Sequence, residues 1–256
     1  MQDRRDLLTG LPKPVPGGER RSARDKGTKY LRRLFHFKQM DFQFAIWQMA
    51  YLFYSPQKVF RNFQYRKQTK DQFARDDPAF LVLLLIWMIV SCMAFVLLLQ
   101  IHFLGFFKFL LWTIFIDCVG VGIIVATVVW VVCNKYLIKP TCRLTEDVEW
   151  GYCFDVHLNA FFPALIILHL FQLFFYHILI RYDWFIGRLF GDSLFLIACA
   201  YYCYITFLGY SALPILKNTK VFLYPMAPLF VFYIMSLAAG LNLCRALVDF
   251  YHYRVM

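Results

Sequence analysis

One carboxylate, Asp117, stands in the middle of an otherwise apolar run, Phe109–Cys133. An acid in a helix crossing hydrocarbon costs about 2.5–3.5 kcal/mol on insertion scales, so it must face protein or water rather than lipid. Thr113, Asp117, Gly120 and Thr127 share one face at helical spacing, and Gly120 and Gly122 would let another helix come close. His169 and Gln172, three residues apart in a later apolar run, face one way and are the natural partners of Asp117. Two chemistries fit. Asp117 and His169 could relay protons or bind an ion, making the chain a small transporter. Alternatively, a buried, protonated acid could hydrogen-bond to a neighbouring helix, a contact contributing about 0.6–2 kcal/mol. The second asks less of the sequence, since one acid and one histidine fall short of the chains found in proton pumps.

Other candidate constellations are weaker. Asp155-Val156-His157-Leu158-Asn159 has the alternation of metal ligands on a strand, but in a segment entering a helix residues i and i+2 diverge. Only Asp155 and Asn159 would share a face, and a polar entry to a membrane span is the simpler reading. Gly209-Tyr210-Ser211-Ala212-Leu213-Pro214 lacks the second glycine of a hydrolase elbow. There is no Walker loop and no dinucleotide fingerprint. Six of the eight cysteines (Cys92, Cys118, Cys133, Cys199, Cys203, Cys244) fall in apolar runs, while Cys142 and Cys153 are expected in a loop, with no CxxC pair. No metal, cofactor or catalytic centre is expected, and an enzyme is not indicated.

The elements that must position these residues are set by composition. The chain has 256 residues, 61% of them hydrophobic, more apolar surface than a soluble fold of this size could hide. Charge is segregated: residues 1–77 hold 17 of the 27 Lys and Arg against 8 acids. After Pro78, runs long enough to cross roughly 30 Å of hydrocarbon lie at 79–100, 109–133, 158–180, 193–213 and 221–244. The expected fold is an all-α membrane protein, a five-helix transmembrane bundle with a basic cytosolic N-terminal region. With the head cytosolic, 22 basic residues lie on that side against 5 on the other, as the positive-inside rule favours. The short loops alone score 5 to 5, so the head decides, and residues 245–256 become a lumenal tail. With no earlier spanning run, the first membrane helix is expected to serve as the targeting signal.

Within the head, residues 1–28 are rich in Pro, Gly and charge and are expected to be disordered. Residues 29–78 form a juxtamembrane basic and aromatic region. Its apolar segment Phe42–Tyr54 is too short to span and stops before Pro56, which suits an interfacial helix. Arg32, Arg33, Trp47, Arg61, Arg66, Lys67 and Lys70, with Asp147, Glu149 and Trp150 of the third-span entry loop, are the candidate partner- and lipid-binding residues. Each basic side chain near an anionic leaflet contributes about 1 kcal/mol. The same mixture of aromatic and basic residues also suits single-stranded RNA, with Arg32 and Arg33 in the leading position.

Several blocks carry a resemblance: Tyr30-Leu31-Arg32-Arg33-Leu34, Gln39-Met40-Asp41-Phe42, Tyr65-Arg66-Lys67-Gln68-Thr69-Lys70-Asp71-Gln72, Ala74–Leu84, Ile116-Asp117-Cys118-Val119-Gly120-Val121-Gly122, Asp147-Val148-Glu149-Trp150-Gly151-Tyr152, Asp155–Phe161 and Thr206–Pro214. Together they resemble the Unc-fifty (UNCL) family of eukaryotic Golgi membrane proteins, over nearly the whole chain from Tyr30. The resemblance implies five spans and a Golgi membrane location, with a further site at the inner nuclear membrane. It also implies a role in trafficking assembled cell-surface receptors of the nicotinic acetylcholine type. Fungal relatives associate with large Arf guanine-nucleotide exchange factors, and a vertebrate relative binds RNA. No catalytic residue is implied. Gly209–Pro214 is also similar to a short motif of Yip-type trafficking proteins.

Overall fold

The computed structural model describes residues 40–61, 77–142, 146–182 and 184–255. The tail 1–28, Arg32 and Arg33, and Arg66, Lys67 and Lys70 lie outside the described residues. The first described helix, α1 (Phe42–Tyr54), starts where Asp41 accepts the Phe44 N–H at 2.9 Å and stops at Ser55 before Pro56. Five helices then have the length and composition to cross a membrane: α2 (Ala79–Leu99), α3 (Phe103–Leu137), α4 (Trp150–Ile180), α5 (Phe185–Ser211) and α6 (Thr219–Ala239). A final helix, α7 (Leu243–Val255), is amphipathic. The five-span expectation holds.

The bounds differ from the expected ones in an informative way. The third span begins at Trp150 rather than Leu158, so Cys153, Asp155 and His157 are helical and Cys153 is buried instead of looped. Asp192, just outside the expected fourth span, lies inside α5. After Ala239, Gly240 turns the chain at φ 73°, and residues 243–255 fold back as α7 rather than trailing off as a tail.

Two spans are locally widened, with i→i+5 bonding. In α3 the wide turns run over Thr113–Gly120 and contain Asp117. In α4 they follow Pro163, which removes a backbone donor, over Ile166–Phe171 and again over Tyr176–Ile180. The first of these contains His169. Each widening re-aims side chains that uniform helical spacing would have placed elsewhere.

Three core clusters stack along the bundle. In the first, α1 turns Ala45, Met49 and Leu52 onto Phe80, Leu84 and Met88 of α2 and onto Leu158, Phe162 and Leu165 of α4. At the end holding loops 138–149 and 212–218, the head end, Val148, Tyr152 and Val156 meet Tyr210, Leu213 and Leu216. At the far end, Phe95 and Phe109 pack with Tyr176, Ile180, Val248, Tyr251 and Val255. Exposed Leu97, Ile124 and Phe174 face outward, as lipid-facing side chains do. α6 packs chiefly on α5, and Ser236 is its one buried residue between Met226 and Ala239.

Candidate functional site

Two regions hold the described sequence-predicted residues, one at each end of the bundle. At the far end the three intramembrane polar residues converge, although not on one another. Arg254 Nη1 of α7 donates to both oxygens of Asp117, at 3.0 and 3.2 Å, and its guanidinium lies 4.4 Å from the centre of the Trp112 ring. His169 is buried, with Nε2 at 3.1 Å from the Tyr251 hydroxyl and Nδ1 at 3.5 Å from Ser91 Oγ. Gln172 donates through Nε2 to the Cys244 carbonyl at 2.8 Å. The expected pairing of Asp117 with His169 and Gln172 is therefore replaced: all three bond to α7. Thr113, expected beside Asp117, is buried and accepts from Cys92 Sγ at 3.7 Å instead.

The helix that fills this region is itself tied down by residues the sequence reading missed. Asp192 of α5, fully buried, accepts the Leu243 N–H at 2.7 Å and the Ser236 hydroxyl at 2.7 Å. Asn242 caps α7 by accepting the Arg245 N–H at 3.0 Å and donates to the Ile180 carbonyl at 3.0 Å. Lys108 Nζ reaches the Val255 carbonyl at 3.5 Å. A usable signal lay in the tail: Cys244, Val248, Tyr251 and Val255 recur at 4, 3 and 4 residues, the stripe of a docking helix. Burial pushes the Cys244 thiol up to about 12, with the Asp192 charge adding to it.

Midway along the bundle lies His157, whose place in the sequence suggests a polar span entry. It is buried, its Nε2 donating to the Cys118 carbonyl at 3.1 Å, which leaves Nδ1 to accept from the Tyr202 hydroxyl at 2.7 Å. Its ring packs so closely on Gly122 that a Cβ there would lie 2.6 Å from His157 Cδ2. Gly122 is thus the close-approach glycine. A Cβ at Gly120 would meet the carbonyl of Phe115 in its own helix, so the expected second approach is not made there. Among the described residues no group of three or more His, Cys, Asp or Glu could hold a metal ion.

The head end carries the second region. Asn134 grips the backbone of Val148 from both sides, accepting its N–H at 2.9 Å and donating to its carbonyl at 3.1 Å, while Trp130 Nε1 donates to the same carbonyl at 2.9 Å. The grip buries Val148 and leaves Asp147 exposed and Glu149 half-buried. Trp150 is 40% exposed, stacks on Phe154 and donates to Thr127 Oγ1 at 3.1 Å. A backbone bridge between Ile138 and Leu216 joins this loop to the next, the Lys139 N–H donating to Ile215 at 2.9 Å and the Lys217 N–H to Leu137 at 2.8 Å.

α1 is fastened to α2, α4 and α5 rather than lying free on the bundle's surface. Buried Gln48 donates to Asn159 Oδ1 at 2.9 Å, and the Tyr201 hydroxyl donates to the Leu52 carbonyl at 2.6 Å. Asp77 accepts from the Asp41 N–H at 2.8 Å, linking the start of α1 to the start of α2. Trp47, half-buried, stacks between Phe44 and Tyr51 with ring centres 5.5 and 4.4 Å away. Arg61 is exposed in the helical stretch 56–61, whose Phe60 lies by Gly209 of α5.

A family model described as the UNC-50 family matches residues 30–252 of the chain. Protein unc-50 homolog A of Xenopus laevis is 62% identical over 236 residues, covering 92% of this chain and 91% of the relative. The human protein unc-50 homolog is 61% identical over the same length and coverage. That of Drosophila melanogaster is 52% identical over 247 residues, covering 95% of this chain and 89% of its own. No solved structure matches. With five spanning helices and a match over nearly its whole length, the chain belongs to the UNC-50 family.

Proposed function

We propose that this chain is a non-enzymatic Golgi membrane protein that supports vesicular trafficking and cell-surface delivery of assembled receptors of the nicotinic acetylcholine type. Its head faces the cytosol and engages large Arf guanine-nucleotide exchange factors. The observation that carries the reading is the built head end. A loop pinned at Val148 exposes Asp147 and part of Trp150, and a helix docked on the bundle holds Trp47. A loop held this firmly can present side chains to a partner at low ordering cost. The working surface joins Asp41–Tyr54, Arg61–Arg75 and Asp147–Asp155, with anionic lipid under the basic residues.

Replacing Arg66, Lys67 and Lys70 with Glu, or Asp147 and Glu149 with Lys, is expected to release the exchange factor in co-purification while leaving membrane insertion intact. Unchanged co-purification and unchanged receptor delivery in both variants would reject the reading. The rival in which the head binds RNA predicts crosslinking to RNA in cells that falls when Arg32 and Arg33 are replaced by Ala. The transport rival loses its geometric motive, because Asp117 is paired with Arg254 rather than with His169.

A further inference from the structure

The far end of the bundle contains a polar socket filled from within the chain. Asp117, His169 and Gln172, drawn from two spans, each turn to the single short helix α7, through Arg254, Tyr251 and the Cys244 carbonyl. A charged pair is a poor choice if the only need is to hold a helix in place. Apolar side chains of equal size would do so without desolvating two ions. What a charged pair adds is selectivity for the sign and position of the occupant.

Although Asp192 and Asn242 hold the start of α7, three features would let the rest of it leave the socket. α7 joins α6 through Gly240, at φ 73°, and the non-helical residues Leu241 and Asn242. Its outer face bears Arg245 and Asp249, paired at 3.9 Å and largely exposed, so the helix is suited to rest on a membrane surface when undocked. The spans also pack on one another directly, α3 on α4 and α4 on α5, without α7 as an intermediary. Removing α7 alone, however, would leave a carboxylate unpaired beside hydrocarbon, a costly state that a second cation would relieve. The socket therefore specifies its replacement: a helix end with a guanidinium or ammonium group one turn from a hydroxyl, the cation stacking on Trp112 as Arg254 does.

We propose that α7 is an internal stand-in for a client, and that the Asp117 socket binds the basic end of a client's transmembrane helix when α7 swings out. The inference rests on the receptor-cargo reading and supplies its recognition element on the side opposite the exchange-factor surface.

The test uses the full chain in phosphatidylcholine vesicles with three synthetic single-span leucine peptides. They carry Tyr-Leu-Leu-Arg, Tyr-Leu-Leu-Gln or Tyr-Leu-Leu-Glu at one end, and binding is read by fluorescence energy transfer. Arg254→Gln should raise the apparent affinity for the arginine peptide at least tenfold over the unmodified chain. Adding Asp117→Asn should return it to baseline, and the glutamine peptide should respond to neither change. Equal binding with and without Arg254→Gln, or binding that survives Asp117→Asn, would show that α7 is only a structural lock and overturn the proposal. Against loss of folding, a chain with Asp117→Arg and Arg254→Glu together keeps an ion pair, and it should prefer a peptide ending in Glu. A preference still for Arg would also overturn the socket. Failure of peptide binding with exchange-factor co-purification intact would retire the socket alone, whereas the reverse result would retire the trafficking partner alone.

Discussion

Arg254 and Asp117 form an ion pair across 137 residues of sequence, a single guanidinium nitrogen lying 3.0 and 3.2 Å from the two carboxylate oxygens. Their side chains are 11% and 24% exposed, and the guanidinium is covered by the Trp112 and Phe250 rings. The pair joins the last described helix to the second span. It converts an isolated acid in an apolar run into half of a tertiary contact.

Because breaking a part-buried pair strands a charge, Asp117→Leu and Arg254→Leu singly should each destabilise the protein, by less than the roughly 3–5 kcal/mol of a fully buried pair. The double Leu variant should cost less than either single change. Thermal unfolding in detergent checks this, and simple additivity of the two changes would contradict it.

Asp192→Ala removes an acceptor shared by the α7 start and Ser236, leaving two donors without their partner. Each lost buried bond is worth about 1–3 kcal/mol. Faster hydrogen exchange across 243–255, with α1 unchanged, is the expected signature.

The Cys244 thiol reports directly on α7 docking. It is fully buried and its pKa is pushed up to about 12, so at neutral pH it is overwhelmingly the unreactive thiol. Maleimide labelling followed by peptide mass spectrometry should find Cys244 protected in the unmodified chain, and labelled once Arg254 is replaced by Leu. Raising the pH towards 12 favours the thiolate, so any residual labelling should rise with pH and not fall.

Gly122→Ala places a methyl group 2.6 Å from the His157 ring and 2.8 Å from Phe154, and overpacking of this kind costs about 1–3 kcal/mol. The α3–α4 seam should loosen, lowering the melting temperature in detergent. His157→Ala combined with Gly122→Ala should recover part of the loss, since the clash is with that ring.

At the head end, Asn134→Ala leaves the Val148 N–H without its acceptor and its carbonyl held by Trp130 alone, at a cost of about 1–3 kcal/mol. Hydrogen exchange should rise at 146–149 while the spans stay protected. If the loop is the partner surface, exchange-factor co-purification should fall in the same variant without any change at Asp147 or Glu149.

Some of this was legible in the residues and some was not, and α7 illustrates the divide. Its stripe of Cys244, Val248, Tyr251 and Val255 was present in the sequence, but the apolar run before it absorbed Cys244 into the fifth span and hid the break at Gly240. His157 and Asn159 looked like a polar entry because nothing local says that Tyr202, Cys118 and Gln48 will meet them. The widened turns over Thr113–Gly120 and Ile166–Phe171, which hold Asp117 and His169, break the uniform spacing that a face assignment assumes.

By itself the sequence determined that the chain has five helices long and apolar enough to cross a membrane and belongs to the UNC-50 family. Apolar runs of spanning length have one low-energy solution in lipid, and that solution is written locally. It also determined that Asp117 must have a partner, since the cost of an unpaired acid depends only on its surroundings. Which group pays that cost was decided by the tertiary structure alone. Arg254 reaches Asp117 only after Gly240 reverses the chain and α7 lies across the far end, and no spacing rule covers a contact between residues 137 positions apart.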